Sequence, residues 1–352
     1  MLAVLRSAAC LLALALADSL FGCAARRVDP DEPHHLVGGG FRNPHAPPDS
    51  LGVGQLLRWR LGAYDETRTL VRPPPGFSFP GPQAELDRTK PRVTWINHST
   101  FLIEMGSVRL LTDPIWSERA SPVPWAGPRR RHSVPLSLDQ VGRIDLVLIS
   151  HNHYDHLDRD TVRRLGDRIR WYVPLGVAAW LRSEGIHRVE ELDWWQSSEF
   201  GPDVRITAVP AQHFSMRSPF DLDDTLWTGW VVTLRGRAGV RKTVYFAGDT
   251  GHNPAVFRAI GRRFGPMDLS LIPSGAYLPR RIMHARHVSP REAVAIHRDV
   301  RSRLSVGMHW KTFRQTDEPL DQPPFDLWRA LEEQGIPPPA FRVLEPGQTI
   351  NF

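Results

Sequence analysis

The chain has 352 residues, 41% hydrophobic and 23% charged, which excludes a disordered chain and allows one sizeable globular core. The formal net charge is +6 and the pI near 9.8, with only Lys90, Lys242 and Lys311 as lysines, so a basic surface suits phosphates, anionic lipid headgroups or nucleic acid. The two cysteines, Cys10 and Cys23, both precede the body, which excludes a disulfide or a thiolate-held metal within it.

At the N-terminus Arg6 precedes an apolar run, Ala8 to Ala17, that is too short to span a bilayer. Leu20-Phe21-Gly22-Cys23 resembles a bacterial lipobox, in which the cysteine is lipidated and becomes the new N-terminus. Residues 1–22 are therefore expected to be a signal peptide. The body is expected to be exported and lipid-anchored to the envelope, with the outer membrane favoured because Ala24, and not an aspartate, follows the cysteine. Residues 23–50, rich in Pro, Gly and His, are expected to be a flexible tether. Residues 51–91 are expected to hold a short amphipathic helix around Leu56, Leu57, Trp59 and Leu61, and then a proline-rich extension. No common role is expected for His34 with His35, or for His45 with His132.

The catalytic body is expected over 92–352. Strands are predicted at Thr94–Ile96, Phe101–Met105, Val108–Thr112, Arg170–Val173, Val204–Val209, Gly229–Leu234, Thr243–Ala247, Leu269–Ile272 and Leu304–Met308. Asp145 to Ser150 (DLVLIS) predicts a strand buried on both faces. Helices are predicted near Thr161–Leu165, Val177–Ser183, Pro254–Arg263 and Ser289–Val300, the last opening on the capping sequence Ser289-Pro290-Arg291-Glu292. Alternating strands and helices predict a layered α/β sandwich.

The strongest local signal is His151-Asn152-His153-Tyr154-Asp155-His156, directly after the buried strand. Imidazole nitrogens and a carboxylate oxygen at this density suit Zn²⁺ and similar cations far better than they suit a solvated loop. In a tight loop His151 and His153 can face one metal while Asp155 and His156 face another. Three further donors close predicted strands: His213 after Pro210-Ala211-Gln212, Asp249 in Phe246-Ala247-Gly248-Asp249, and His309 after Gly307-Met308. Loops at strand ends are where layered sheets build sites.

The His-x-His-x-Asp-His run, with the other donors in this order, resembles the metallo-β-lactamase superfamily. That resemblance implies an αβ/βα sandwich of two mixed β-sheets flanked by helices. It also implies one metal held by His151, His153 and His213, a second by Asp155, His156 and His309, and Asp249 shared between them. A narrower resemblance covers about Gly40 to Phe313. Leu111-Thr112-Asp113-Pro114, LISHNHYDHLD (Leu148 to Asp158), ELDWW (Glu191 to Trp195), IPSGAY (Ile272 to Tyr277), His287-Val288 and His309-Trp310 look like N-acylphosphatidylethanolamine-hydrolysing phospholipase D. It implies a two-metal phosphodiesterase, zinc-loaded (iron or manganese also suit the donors), acting on a phospholipid at a membrane surface and not on nucleic acid. Asp155, Asp249 and His287 are the implied catalytic groups. His287 would contact the phosphate or protonate the leaving oxygen, with an outer supporting histidine as the alternative. Asp113 is expected to orient a ligand histidine. His98, His132, His252 and His284 receive no assignment. Trp194, Trp195, Phe214, Trp227 and Trp310 are candidates to line an acyl groove, with core packing favoured for the first two. Met216 to Trp227 is expected to be a surface loop at the mouth. The alternatives are a hydrolase of the same fold with a smaller substrate (a sugar-phosphate lactone or another phosphodiester) and a non-catalytic metal-binding lipoprotein. Retention of every donor argues against the second of these.

Overall fold

Successive side chains of a strand point to opposite faces, so a strand with no polar position must be covered on both. That rule organises the computed structural model, which describes residues 32–44, 52–80, 85–235 and 241–352. The expected signal peptide, the lipobox Cys23, Cys10 and His45 lie outside the described residues.

In chain order the elements are α1 (Val53–Arg60), β1 (Arg92–Asn97), β2 (Thr100–Met105), β3 (Val108–Thr112), α2 (Leu138–Val141), β4 (Leu146–Leu148), α3 (Arg159–Leu165), β5 (Arg170–Pro174), α4 (Val177–Ser183), β6 (Val189–Leu192), β7 (Ser197–Phe200) and β8 (Val204–Val209). There follow β9 (Gly229–Arg235), β10 (Arg241–Phe246), α5 (Pro254–Phe264), β11 (Leu269–Pro273), α6 (Arg280–Met283), α7 (Pro290–Asp299), β12 (Ser305–Met308), α8 (Gln322–Gln334), β13 (Phe341–Arg342) and β14 (Thr349–Asn351). The strands form two 7-stranded mixed sheets, ordered β14-β1-β2-β3-β4-β5-β6 and β13-β12-β11-β10-β9-β8-β7. In the first sheet β3 to β6 run parallel, and in the second β10 to β13 do. This is the αβ/βα sandwich expected.

Alternation within the first sheet divides the interior into two cores. Trp95, Phe101, Leu110, Leu146, Leu148 and Tyr172 join the core shared with the second sheet. Their neighbours Ile96, Leu102, Leu111, Val147, Trp171 and Val173 join a second core under α2, α3 and α4. At about 25 cal/mol per Å² of apolar surface, burial on both faces is the main term holding these strands. Among the described residues, no helix is long and apolar enough to cross a membrane.

Several elements differ from expectation. Strands β6 and β7 carry Glu and Ser and are only partly buried, as edge strands permit, so they lack the apolar signature of central ones. Helix α8 opens Gln322-Pro323-Pro324, which reads as a break, yet proline is tolerated in a first helical turn where the N–H has no intrahelical partner. The flexible tether expected over 23–50 does not hold for residues 32–44. His34, His35 and Phe41 are buried against the body, because each finds a partner there: Asp193 for both histidines and the Asp223 carbonyl for the Phe41 N–H (2.8 Å).

Helix α7 starts with the expected capping box: Ser289 Oγ accepts from the Glu292 N–H, and a Glu292 carboxylate oxygen accepts from the Ser289 N–H (2.7 Å). Ser289→Ala should lower stability by about 1 kcal/mol. Urea unfolding checks this; an unchanged midpoint would show that the cap contributes nothing.

Candidate metal centre

All of the donors emerge from one edge of the two sheets. Strand β4 delivers Ser150 and His151, β8 delivers His213, β10 delivers Asp249 and β12 delivers His309. After β4 a single turn, closed by the His156 and Leu157 N–H groups on the His153 carbonyl (3.1 and 2.8 Å), folds the donors of the motif back on themselves. Gly248 has φ +61°, and a Cβ there would lie 2.7 Å from Ser150 Cβ, so only glycine lets Asp249 approach the His151 loop. His98, Asp113 and His309 hold positive φ of 43°, 33° and 61° without being glycine, a strain of the kind kept where surrounding structure fixes a site.

His151, His153 and His213 form one group. His151 Nε2 lies 2.8 Å from His153 Nδ1, which lies 3.3 Å from His213 Nε2. Outer partners decide which nitrogens carry protons. Ser150 Oγ donates to Asp113 (2.5 Å), so His151 Nδ1–H must donate to Ser150 Oγ (2.8 Å), and His151 Nε2 is left as a lone pair. His213 Nδ1–H donates to the Arg286 carbonyl (2.9 Å), leaving its Nε2 a lone pair as well. Burial holds His151 and His213 well below the usual imidazole range and His153 at about 4, so all three are neutral. Neutral imidazole is the ligand form, and the lone pairs of His151 Nε2 and His213 Nε2 both face His153 Nδ1, whose single proton could serve only one of them.

The second group joins His98, Asp155, His156 and His309. Asp155 Oδ2 is 3.2 Å from His156 Nε2 and 3.3 Å from His309 Nε2. Asp249 Oδ2 lies between the groups, 3.2 Å from His156 Nε2, 3.0 Å from His309 Nε2 and 3.8 Å from His213 Nε2. His156 Nε2, His309 Nε2 and Asp249 Oδ1 are buried with no hydrogen-bond partner among the described residues, which is the condition that a cation would relieve. Burial pushes His309 down, but Asp249 and Asp155 outweigh it and raise it to about 9. Burial pushes Asp249 up, yet His156 and His309 hold it well below the usual carboxylate range. The residues fit one or two divalent ions.

Around these donors the structure places the remaining candidates. Asp113 Oδ2 accepts from His156 Nδ1 (2.6 Å), so it orients that ring as expected. His287 faces the centre from the rim: its Nδ1 is 3.8 Å from Asp249 Oδ2, and burial lowers its pKa to about 3. Two functional positions were not assigned from sequence. His98 Nε2 and Gln315 Nε2 each lie 2.9 Å from Asp155 Oδ2, fixing that carboxylate. His98 does carry the strand-end signal, since it follows β1 directly, whereas Gln315 carries none. Of the aromatic candidates, Trp227 and Trp310 are core residues and not groove lining. Trp227 Nε1 donates to the Ala211 carbonyl (3.1 Å), and Trp310 stacks on Trp95 at 5.2 Å. Trp194 is core as favoured, and half-buried Phe214 lies 4.5 Å from the His153 ring. The Met216–Trp227 loop is knitted to the motif through Arg217, which donates to the Asn152 and Leu157 carbonyls (2.6 and 2.9 Å).

Residues 108–310 match the family described as beta-lactamase superfamily domain. The chain is 42% identical over 231 residues to N-acyl-phosphatidylethanolamine-hydrolyzing phospholipase D 1 of Caenorhabditis elegans, covering 62% of this chain and 64% of that one. It is 41% identical over 272 residues to uncharacterized protein Rv0906 of Mycobacterium tuberculosis, covering 75% and 70%. Among solved structures, the metallo hydrolase Igni18 of Ignicoccus hospitalis superposes with a TM-score of 0.57 at 23% identity, over 75% of this chain and 98% of its own, and so supports the fold. The donor clusters are those of a catalytic metal-dependent hydrolase of this fold.

The two groups differ in how strongly protons compete with a cation. In the metal-free protein His309 keeps a proton up to about pH 9, while His153 gains one only near 4. Zinc affinity at the Asp155/His156/His309 group should therefore fall at least about tenfold per pH unit below that value, because binding must displace the proton of His309 and also that of His156, which burial pushes down but Asp249, Asp155 and Asp113 raise well above the usual imidazole range. Affinity at the His151/His153/His213 group should stay level through neutral pH. Chelator-competition titrations across this range check the difference; two affinities that fall in parallel would contradict it.

Proposed function

The chain belongs to the metallo-β-lactamase superfamily, and from that premise we propose that it is a phospholipase D-type phosphodiesterase that hydrolyses N-acylphosphatidylethanolamine to N-acylethanolamine and phosphatidate. The observation that carries this reading is the 42% identity to the nematode phospholipase D over 231 residues. The chain spans 64% of that relative's length, and its own site supports the same chemistry.

In this reading two divalent ions, zinc by the nitrogen-rich donors with iron or manganese also suited, are held by the two groups, and Asp249 serves both. When bound, they supply a water ionised near neutral pH and offset charge on phosphoryl oxygens. Asp155 and Asp249 hold the geometry through His98, Gln315, His156 and His309. His287 stands nearest the open side. A neutral imidazole, as burial dictates, can donate its N–H to a phosphate oxygen, which favours substrate contact over protonation of the leaving group. The Met216–Trp227 loop presents Met216, Phe220 and Leu222 at 40%, 62% and 57% exposure beside the mouth, a surface suited to a lipid interface.

Residues 1–22 are proposed as a signal peptide, with Cys23 lipidated and the body held at the envelope. Cys23→Ser should then release the protein from membranes and abolish N-terminal acylation. Fractionation with mass spectrometry of the N-terminus reads both, and unchanged partition and acylation would remove the anchor.

Reaction in ¹⁸O-labelled water should place the heavy oxygen in phosphatidate and none in the N-acylethanolamine. Attack at phosphorus breaks the P–O bond and leaves the ethanolamine oxygen on its own carbon. Lipid mass spectrometry checks it. Label in a fatty acid would overturn the phosphodiesterase reading, and no turnover of any phospholipid by metal-loaded protein would favour a smaller substrate.

A further inference from the structure

His213 is held from two directions. Its ring is fixed by the Arg286 carbonyl (2.9 Å). Its backbone is fixed by a residue far away in sequence: Asn43 Nδ2 donates to the His213 carbonyl (2.7 Å), and Asn43 Oδ1 accepts from the His213 N–H (3.2 Å). The same Oδ1 accepts from Trp227 Nε1 (3.2 Å), so the amide orientation is set by both donors. No other residue type of this size offers a donor and an acceptor to the backbone of one residue in this way.

Asn43 is itself fastened at several points. Gly40 has φ +88°, and a Cβ there would lie 2.8 Å from the Asp223 carbonyl oxygen, so the strap can approach that loop only as glycine. The neighbouring Phe41 is buried and bonds the same carbonyl. Upstream, His34 stacks on Trp194 at 4.2 Å and donates to Asp193 Oδ1 (2.7 Å), while His35 Nε2 meets Asp193 Oδ2 at 3.0 Å. Two imidazoles on one buried carboxylate make a clamp, and Trp194 shares a core with Phe41, Ala211 and Trp227. The histidine pair thus has a role after all, as the far end of a strap whose near end is Asn43.

We propose that residues 32–44 are a working part of the metal centre and that Asn43 is a positioning residue for His213. The inference rests on the reading of His213 as a metal ligand. Removing Asn43 leaves the His213 peptide groups unpaired and lets the ring swing away from His151 and His153. Loss of an outer hydrogen bond of this kind typically weakens metal affinity about 10–100-fold.

The test compares wild type, His213→Ala, Asn43→Ala and Asn43→Asp. Zinc affinity is read by chelator competition, and ligand geometry by the visible absorption of the cobalt-substituted protein. Asn43→Asp matches the amide in size and keeps the acceptor for the His213 and Trp227 N–H groups, but sets an oxygen against the His213 carbonyl; it guards against a misfolded alanine variant. Both Asn43 variants are expected to lose affinity by the stated factor only at the ion held by His151, His153 and His213 and to shift the cobalt spectrum, with near-UV circular dichroism unchanged. If His213→Ala binds zinc as wild type does, the ligand reading fails. If His213→Ala loses zinc while folded Asn43→Asp keeps wild-type affinity and spectrum, the positioning role is overturned.

Discussion

Lone pairs and carboxylate charges driven to within about 3 Å of one another are the constraint on which this structure depends. Asp155 and Asp249 set two buried carboxylates against the same two imidazoles, His156 and His309, and the repulsion between them is offset only by positive charge, from imidazole protons in the metal-free protein or from a cation in their place. Burial makes this repulsion stronger, since little solvent screens it. Each donor must therefore be held in place by something outside the group.

Those outer partners come from every part of the chain. Asp113, after β3, binds Ser150 and His156 at once and so sets two tautomers in different groups. His98, after β1, and Gln315, beyond β12, share Asp155. Arg286 and Asn43 grip His213 by ring and by backbone. The ligands belong to the edges of two sheets, but their orientation belongs to loops and to a strap that no sheet contains.

The sheets supply what the loops cannot, which is rigidity. Strands such as β4, covered on both faces, cannot shift without exposing apolar side chains in two cores, so the loop that follows inherits a fixed origin. Gly248 and Gly275 then allow close approach: a Cβ at Gly275 would stand 2.2 Å from the His309 carbonyl oxygen. Local strain at His98, Asp113 and His309 is tolerated because the cores on either side over-determine the backbone there.

The sequence by itself determined the central strands, helices α3, α4, α5 and α7 and the candidate donors, because hydrophobic runs and clustered imidazoles are local patterns whose physical cause is local. DLVLIS announced a strand buried on both faces, and six residues after it carried four donors. Edge strands β6 and β7 and the proline-led α8 were not legible, since their stability comes from neighbours and not from their own composition. Only the tertiary structure decided that Trp227 and Trp310 are core, that His98 and Gln315 serve Asp155, and that Asn43, 170 residues from His213, pairs with its backbone. A single hydrogen bond between distant residues leaves no periodicity or spacing to read; it exists only once the two sheets have brought their edges together.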